Sequence, residues 1–287
     1  MKTAILIQTH DGYDFLWEGL FLSWKLNWNW EKFNFPLYLI TETKQFLQSH
    51  PDCDFKTINV GDNLKGSENY SNKLIKSLLK LKKEGYTHVI YSQDDSWPLH
   101  RPDSLVIEKS LDFVENNKVD CFYMHEHKSH FPFTLTSKDI GNIEGHRIRE
   151  FNPKSRFIYN HGNAIWDIDS LLYIQKADEA PYENELGGIH RIWEGNKKLK
   201  MYMINMPWYN QDLIHDKGKL KQSAKEIIWS LRFRYDWEFK KDSFTTFIAN
   251  NGSLIPKHLH IDNKLVDLSA FLNSYDGGRH FSEKYKY

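Results

Sequence analysis

The chain has 287 residues, enough for one large domain with its own hydrophobic core. Lys and Arg together number 38, as do Asp and Glu, so the net charge is zero and the chain has no general attraction to nucleic acid or to an acidic membrane. The two cysteines, Cys53 and Cys121, lack the spacing of a disulfide framework or a zinc site, and no apolar run has the length of a membrane span.

The N-terminal third predicts a βαβ unit followed by a further helix and strand. The apolar run in "MKTAILIQTHDGYDF" is followed at once by charge, which predicts a first strand rather than a signal peptide. A helix in "DFLWEGLFLSWKLNW" and a strand in "FPLYLITET" come next. After a loop with Gly61 and Gly66, we predict an amphipathic helix from Glu68 to Lys83 and a strand from Thr87 to Tyr91.

The remaining elements predict an α/β fold with a mixed, mainly parallel sheet flanked by helices. "SLVIEKSLDFVENN" predicts a helix and "VDCFYMHEH" a strand, whereas the polar stretch from Lys128 to Arg156 predicts an irregular excursion over the sheet edge. "RFIYNHGNAIWDIDSLLYIQKA" predicts strand, turn and helix, "NELGGIHRIWEGNKKL" a helix and "KMYMINMPWYN" a strand ending near Pro207.

We expect one soft domain boundary near Gly218. Residues 1–218 form the predicted main domain, divided into halves at 1–96 and 97–218. Residues 219–287 begin lysine-rich and run into the predicted helix "AKEIIWSLRFRYDWEF", and we expect them to form a C-terminal helical extension packed on that domain.

The stretch "HVIYSQDDSWP" ends a predicted buried strand on two adjacent carboxylates, Asp94 and Asp95. Such a pair is mutually repulsive and raises the pKa of each carboxyl unless a positive partner is near. A hard divalent cation, which takes carboxylate oxygens together with substrate phosphates, would supply one. The alternative is that the pair caps the following turn.

"YSQDDSW" resembles the acidic DxD-type motif of the GT-A glycosyltransferases, with Gln93 at a position that is Asp or Glu in many members. In that Rossmann-like GT-A fold, a βαβ half binds a nucleotide sugar and the motif holds a metal ion on its diphosphate. The resemblance implies that Asp95 ligates Mn²⁺ or Mg²⁺ and that Asp94 contacts the ribose or the donor sugar. It covers roughly Lys2 to Lys219.

Two earlier segments match the nucleotide side of the same family. "QTHDGY" lies where the family receives the base and ribose, which implies roles for Thr9 and Asp11, with Glu42 less favoured. The alternative is a plain loop with Asp11 as a helix cap. "GSENYSNKLIKSL" resembles the helix before the acidic motif and implies that Lys73 points toward the nucleotide; a capped surface helix is the alternative for its neighbours.

"YENELGGIHRIWEGNKKLKMYMIN" resembles the family's acidic acceptor-side motif. Matched by its spacing to Arg191, Glu185 takes the position of the catalytic base, whereas Asn184 replaces the usual acidic neighbour. That difference leaves open whether Glu183 or Glu185 is the base. Glutamates in the first turn of a helix also favour its dipole, which is the structural alternative.

The segment "MPWYNQDLIHDKGKL" resembles the part of the family that closes the site. The resemblance implies His215 as a metal ligand, Lys217 or Lys219 as the partner of the diphosphate, and Trp208 and Tyr209 as a stacking surface.

Upstream, "IYNHGNAIWDIDSL" offers three candidates for lining the donor-sugar or acceptor site: His161, Asn163 and Trp166. Trp166 is equally suited to the core.

Taken with the resemblance, the sequence predicts a metal-dependent, inverting glycosyltransferase. It would move a sugar from a nucleotide diphosphate sugar, a UDP-sugar as first candidate, to a saccharide or lipid-linked acceptor in surface-polysaccharide synthesis. We expect it in the cytoplasm, with at most peripheral contact at the inner face of the membrane. The oligomeric state stays open.

Two other functions remain as alternatives. A sugar-phosphate nucleotidyltransferase is disfavoured because "QTHDGYDF" lacks a glycine-rich basic loop. A non-catalytic carbohydrate-binding protein would suit the 10 Trp, 15 Tyr and 18 Phe residues but would not need the acidic motifs.

Overall fold

The computed structural model describes residues 1–46, 55–98, 101–125 and 137–206, with two short strand pairs further on at 215–216 with 219–220 and 258–261 with 264–267. The chain divides into two compact units. The larger comprises Met1–Asp11, Asn27–Asp94 and His100–Tyr209, and the smaller comprises Gly12–Leu26, Asp95–Leu99 and Asn210–Tyr287. The predicted boundary at Gly218 lies outside the described residues, so that division stays a prediction.

A nine-stranded sheet forms the larger unit. Its strands are β1 (Thr3–Gln8), β2 (Leu37–Thr41), β3 (Phe55–Asn59), β4 (His88–Gln93), β5 (Cys121–Tyr123), β6 (Ser137–Ile143), β7 (His146–Phe151), β8 (Ala164–Asp167) and β9 (Met201–Ile204). Their order is β3-β2-β1-β4-β8-β5-β9-β7-β6. The run β3-β2-β1-β4 is parallel, β8 is antiparallel to both its neighbours, and β5 is parallel to β9. This arrangement confirms the predicted α/β class with a mixed sheet.

Helices cover the sheet of the larger unit. They are α2 (Tyr70–Lys83), α3 (Ser104–Asn117), α4 (Ile168–Ile174) and α5 (Pro181–Glu194). The α3 bounds match the predicted segment because both ends carry local signals. The Asp103 side chain accepts from Leu105 N at 2.8 Å, and Lys118 ends the helix in the left-handed region at φ 50°.

Each central strand buries side chains on both faces, as expected for a sheet covered by helices. Ala4 and Leu6 of β1 join one core with Leu74 and Leu78 of α2. On the opposite face, Phe113 of α3 packs against the Phe122 ring at 5.6 Å and the Tyr202 ring at 5.4 Å. Polar residues directly follow three of the parallel strands, at their carboxyl ends: Thr9 after β1, Glu42 after β2 and Asp94 after β4.

The smaller unit contains most of α1 (Asp14–Asn27), whose N-terminal residues follow β1 in the chain. The α1 side chains of Trp17, Leu20 and Trp24 are buried, and the Ser23 hydroxyl donates to the Pro98 carbonyl within the same unit. Trp97 is also buried. Across the described part of the chain, no helix is both long and apolar enough to cross a membrane.

Three segments differ from their predicted structure. β3 was not predicted, and the predicted irregular stretch contains the β6–β7 hairpin, which extends the sheet beyond β9. The hairpin was missed because β6 exposes every residue between Ser137 and Ile143 and is interrupted by a register shift at Gly141, so apolar alternation is absent. In "RFIYNHGNAIWD" the turns come first and the strand is β8.

Candidate functional site

The carboxyl ends of β1 and β4 lie side by side, because the two strands are parallel and Gln8 pairs with Gln93. The first residue of α2, Tyr70, lies over both ends. Gln8 Nε2 donates to the Tyr70 carbonyl at 3.3 Å, and Gln93 Nε2 donates to the Tyr70 hydroxyl at 3.1 Å. The Tyr70 hydroxyl is in turn 2.5 Å from that of Tyr91. This edge of the sheet is where ligands bind in open α/β folds.

Two residues predicted from separate motifs, Thr9 and Asp94, meet at this edge. The Thr9 hydroxyl donates to the Asp94 carboxylate, and Asp94 N donates to the Gln8 carbonyl at 3.1 Å. Asp94 is only 5% exposed. The hydroxyl thus holds one carboxylate of the acidic pair in place.

The predicted metal shell is only partly within the described residues. No group of three His, Cys, Asp or Glu side chains suited to a metal is found among the residues that the structure describes. The predicted ligands, Asp95 and His215, would fill only part of the shell of Mn²⁺ or Mg²⁺, so substrate phosphates would have to complete it. His215 and Lys219 lie in the short strands β10 (His215–Asp216) and β11 (Lys219–Leu220), whose side chains are not described. Trp208, Tyr209 and Lys217 lie outside the described residues.

Asp11 belongs to a polar group that we name the Asp11 cluster: Asp11, Glu42 and Lys73, which are buried, and Thr43 and Lys44, which are exposed. The Asp11 carboxylate accepts from Glu42 N at 2.9 Å, Thr43 N at 2.8 Å, the Thr43 hydroxyl at 2.6 Å and Lys44 N at 3.0 Å. Burial alone would raise the pKa of Asp11, but these hydrogen bonds outweigh it and lower the pKa to about 2. The carboxylate therefore ties the end of β1 to the end of β2.

Lys73, predicted to face the nucleotide, is buried in the same cluster. Its Nζ contacts Glu42 Oε1 at 2.6 Å, with the two side chains 3% and 2% exposed. Glu42 Oε2 accepts from Asp11 N, so both carboxylate oxygens of Glu42 are engaged. Lys73 neutralises a charge that would otherwise be buried without compensation.

The two candidate bases lie on opposite sides of α5. Glu183 is exposed, and its Oε2 accepts from Ala180 N at 3.0 Å at the start of the helix. Glu185 Oε1 accepts from His161 N at 2.9 Å and lies 3.6 Å from His161 Nδ1. The Glu185 side chain keeps 34% of its surface exposed, which leaves it accessible to a substrate.

Behind Glu185 lies a polar group that we name the Asn184 network. Its members are Tyr159, His161, Gln175, Glu179, Asn184, Glu185 and Arg191. Asn184 Oδ1 accepts from the Tyr159 hydroxyl at 2.9 Å and is 3.1 Å from His161 Nε2. Asn184 Nδ2 donates to Gln175 Oε1 and to Glu179 Oε2, both at 3.0 Å.

Arg191 closes the far end of the network with two 2.7 Å bonds to Glu179. Sequence reasoning used Arg191 only as a spacing marker and missed Tyr159, Gln175 and Glu179. The available signal was the shared helix face of Asn184, Gly188 and Arg191. Gly188 is required there because a Cβ would meet the Tyr159 ring at 2.3 Å.

The charges at this edge influence the same buried groups. Burial raises the pKa of Tyr91, and the carboxylates of Glu185 and Asp94 raise it further, so both carboxylates act on one hydroxyl. Burial lowers the pKa of His161, opposed by the charge of Glu185 and the hydrogen bond to Asn184. His161 is therefore neutral at pH 7 and Glu185 is its charged neighbour.

The three predicted sugar-site residues have different surroundings. His161 faces Glu185, with its ring 4.7 Å from that of Tyr70. Asn163 is buried, and its carbonyl accepts from Met124 N at 3.0 Å. Trp166 has 0% exposure and packs edge-on against Tyr123 and Tyr159, which is the core alternative.

No family model matches the sequence, and the search of curated proteins finds no match. Several solved structures of S. aureus TarS are similar to this chain. The complex of TarS 1–349 with UDP has a TM-score of 0.48 at 14% identity, covering 86% of this chain and 71% of that one. TarS 1–349 alone has a TM-score of 0.47 at 11% identity, covering 90% and 82%. A third TarS structure has a TM-score of 0.49 at 12% identity, covering 90% of this chain and 50% of that one. At these values the likeness carries no argument about residue roles or ligands.

Proposed function

We propose that this protein is a glycosyltransferase that moves a sugar from a nucleotide diphosphate sugar to a hydroxyl of a saccharide or lipid-linked acceptor. The observation that carries the proposal is the partly exposed carboxylate of Glu185, held by His161 N–H at 2.9 Å, whose charge acts with that of Asp94 on the same hydroxyl, Tyr91. Transfer of a sugar to a hydroxyl is helped by a base that takes the hydroxyl proton and by groups that hold the donor in line with it. Glu185 would be the base, and the acidic motif at Asp94 would hold the donor.

Glu185 is the proposed base, in preference to Glu183. Glu183 bonds to the first turn of its own helix, whereas Glu185 is fixed from outside the helix and keeps accessible surface. Direct attack by the deprotonated hydroxyl, opposite the leaving diphosphate, inverts the anomeric centre. We therefore propose an inverting enzyme within the GT-A fold type.

The donor and the metal ion are proposed from the acidic pair. Asp94 lies beside Thr9 at the nucleotide edge, and Asp95 follows it directly in the chain. Mn²⁺ or Mg²⁺ held by Asp95, with His215 as a further ligand, would neutralise charge on the departing diphosphate. A UDP-sugar is the first donor to test. A role in surface-polysaccharide synthesis at the cytoplasmic side of a membrane belongs to the same proposal.

The first experiment measures UDP release from UDP-glucose and UDP-N-acetylglucosamine, with water or added saccharides as acceptor, in Mn²⁺ and after EDTA. We expect turnover that depends on Mn²⁺, and a rise in thermal stability on adding UDP with Mn²⁺. A protein that binds saccharides but neither binds nor turns over nucleotide sugars is a carbohydrate-binding protein instead.

The second experiment compares Glu185→Gln with Glu183→Gln. Removing the base lowers turnover by a factor of about 10² to 10⁴ while the fold is kept. Glu183→Gln is the matched control, because it changes the same residue type two positions away and retains an acceptor for Ala180 N. Equal losses in both variants, or a loss only in Glu183→Gln, would contradict the assignment of Glu185.

A further inference from the structure

The hydrogens that join Asn184 to its partners have determined positions, because the network is anchored at Arg191, which only donates, and at the Glu179 oxygens that accept from it. The Arg191 guanidinium donates to both oxygens of Glu179, so both of these oxygens are acceptors. The Asn184 atom 3.0 Å from Glu179 must therefore be the amide nitrogen. Its two hydrogens go to Glu179 and Gln175.

The same logic fixes the tautomer of His161. The Tyr159 hydroxyl accepts a hydrogen bond from Gln175 Nε2 at 3.0 Å and donates its own hydrogen to Asn184 Oδ1. Asn184 Oδ1 can only accept, so the hydrogen between it and His161 belongs to His161 Nε2. In the neutral ring, Nδ1 then carries a lone pair and lies 3.6 Å from Glu185 Oε1.

His161 Nδ1 and Glu185 Oε1 are thus two acceptors 3.6 Å apart, and together they can hold one additional proton. The geometry points to a proton-holding dyad, in which His161 Nδ1 takes over the proton that Glu185 removes from the acceptor hydroxyl. In this proposal His161 acts through Glu185, so it is a positioning and proton-accepting residue. This inference rests on the proposed function and deepens it.

The proton balance is complete without a further reactant. The acceptor O–H bond breaks and an O–H bond forms on Glu185; the acceptor oxygen bonds to the anomeric carbon, and the bond to the diphosphate breaks with its electron pair. The proton then moves from Glu185 to His161 Nδ1, giving an imidazolium beside a carboxylate. For this transfer the 3.6 Å separation has to shorten to hydrogen-bonding distance, which a small rotation of the partly exposed carboxyl would achieve.

The surroundings of His161 favour this transfer. The titratable groups that face its ring are Glu185 from α5, Tyr70 from α2 and Tyr159 from the segment before β8, with ring distances of 4.7 and 5.6 Å to the two tyrosines. Burial raises the pKa of both tyrosines, so Glu185 is the charged neighbour. Burial also keeps His161 neutral before the reaction, and Glu185 favours its protonated form afterwards.

The first test needs no substrate. In ¹⁵N-histidine-labelled protein, with the His161 signals assigned by His161→Gln, we expect Nε2–H with unprotonated Nδ1 at neutral pH. Glu185→Gln removes the neighbouring charge and should lower the pKa of His161, whereas Glu183→Gln should leave it unchanged. An Nδ1–H tautomer, or a titration indifferent to Glu185→Gln, overturns the dyad.

The second test uses His161→Gln, whose amide can still donate to Asn184 from the position of Nε2 but offers no proton-accepting nitrogen. The main-chain N–H to Glu185 is unchanged. UDP release should fall by a factor of about ten, and the acid limb of its pH profile should move to lower pH, since only one group is left to protonate. An unchanged rate and pH profile overturn the inference.

The two proposals fail separately. Coupled titration of His161 and Glu185 in a protein that turns over no nucleotide sugar supports the dyad and contradicts the proposed function. Turnover of a nucleotide sugar that needs Glu185 but not His161 supports the proposed function and contradicts the dyad.

Discussion

The Asp11 cluster and the Asn184 network are both polar groups with buried charged or amide side chains at their centre, yet their carboxylates differ in what they can still bind. In the Asp11 cluster, the carboxylate of Asp11 has four donors and Glu42 is paired with Lys73. The Asn184 network is equally complete inside, but its last member, Glu185, is partly exposed and faces an unprotonated nitrogen.

The difference in hydrogen bonding distinguishes a carboxylate that only stabilises the fold from one that could also take part in a reaction. A carboxylate whose oxygens are all engaged lowers the energy of one conformation and has no capacity for a substrate proton. A carboxylate fixed at one oxygen and open at the other keeps that capacity, and the rigid network behind it holds its position. The same residue type thus has two roles, decided by its partners.

The largest expected effect on stability comes from breaking the Asp11 cluster at Lys73. Lys73→Met leaves Glu42 ionised and buried without its 2.6 Å partner, so unfolding free energy should fall by about 3 to 5 kcal/mol in urea titrations. Lys73→Met with Glu42→Gln should recover part of the loss. A change below about 1 kcal/mol, with weakened UDP binding, would instead favour the nucleotide role predicted for Lys73.

The corresponding break in the Asn184 network is Asn184→Asp, which places a carboxylate 3.0 Å from Glu179. We expect a loss of about 3 kcal/mol at pH 8. Repulsion and burial raise the pKa of the new carboxyl in the folded state, so stability returns as the pH falls and the group protonates. Urea titrations at pH 5 and pH 8 check this; a deficit that is the same at both values contradicts the assigned hydrogen positions.

A smaller effect tests Asp11 alone. Its pKa is lowered from 3.8 to about 2, so its stabilisation, about 2 kcal/mol, is fully present above pH 4 and is lost as the pH falls toward 2. Asp11→Asn should lose that amount at pH 7 and show a flatter acid limb than the wild type. If the unfolding free energy fell equally steeply with decreasing pH in Asp11→Asn and in the wild type, carboxyls other than Asp11 would be the cause of that fall.

The smallest effect is expected at an exposed pair outside both groups. Lys82 contacts Asp169 with both side chains about half exposed, at 51% and 61%. Lys82→Ala should change the unfolding free energy by less than about 1 kcal/mol, and less still in high salt. If Lys82→Ala lowered the unfolding free energy as much as Lys73→Met does, burial would not explain why one ion pair stabilises the protein more than the other.

The sequence predicted those elements whose signals are local. The helix α3 carries its own cap at Asp103 and its own left-handed end at Lys118, so its bounds match the structure. The polar end of "HVIYSQDD" marks the carboxyl edge of β4 for the same reason. The β6–β7 hairpin was missed because its pairing with β9, rather than an apolar pattern, defines it.

The sequence by itself determined the α/β class, and it predicted a site at Asp94 and around Glu185, because strand ends, helix caps and motif spacing depend on neighbouring residues. Only the tertiary structure decided that Asp11 and Lys73 share one partner, Glu42. It also decided that Glu183 accepts a hydrogen bond at the start of its own helix, whereas Glu185 contacts His161. Those outcomes depend on partners far away in the chain, such as Glu42 for Lys73 and His161 for Glu185, and no local pattern encodes which distant donor reaches a given carboxylate.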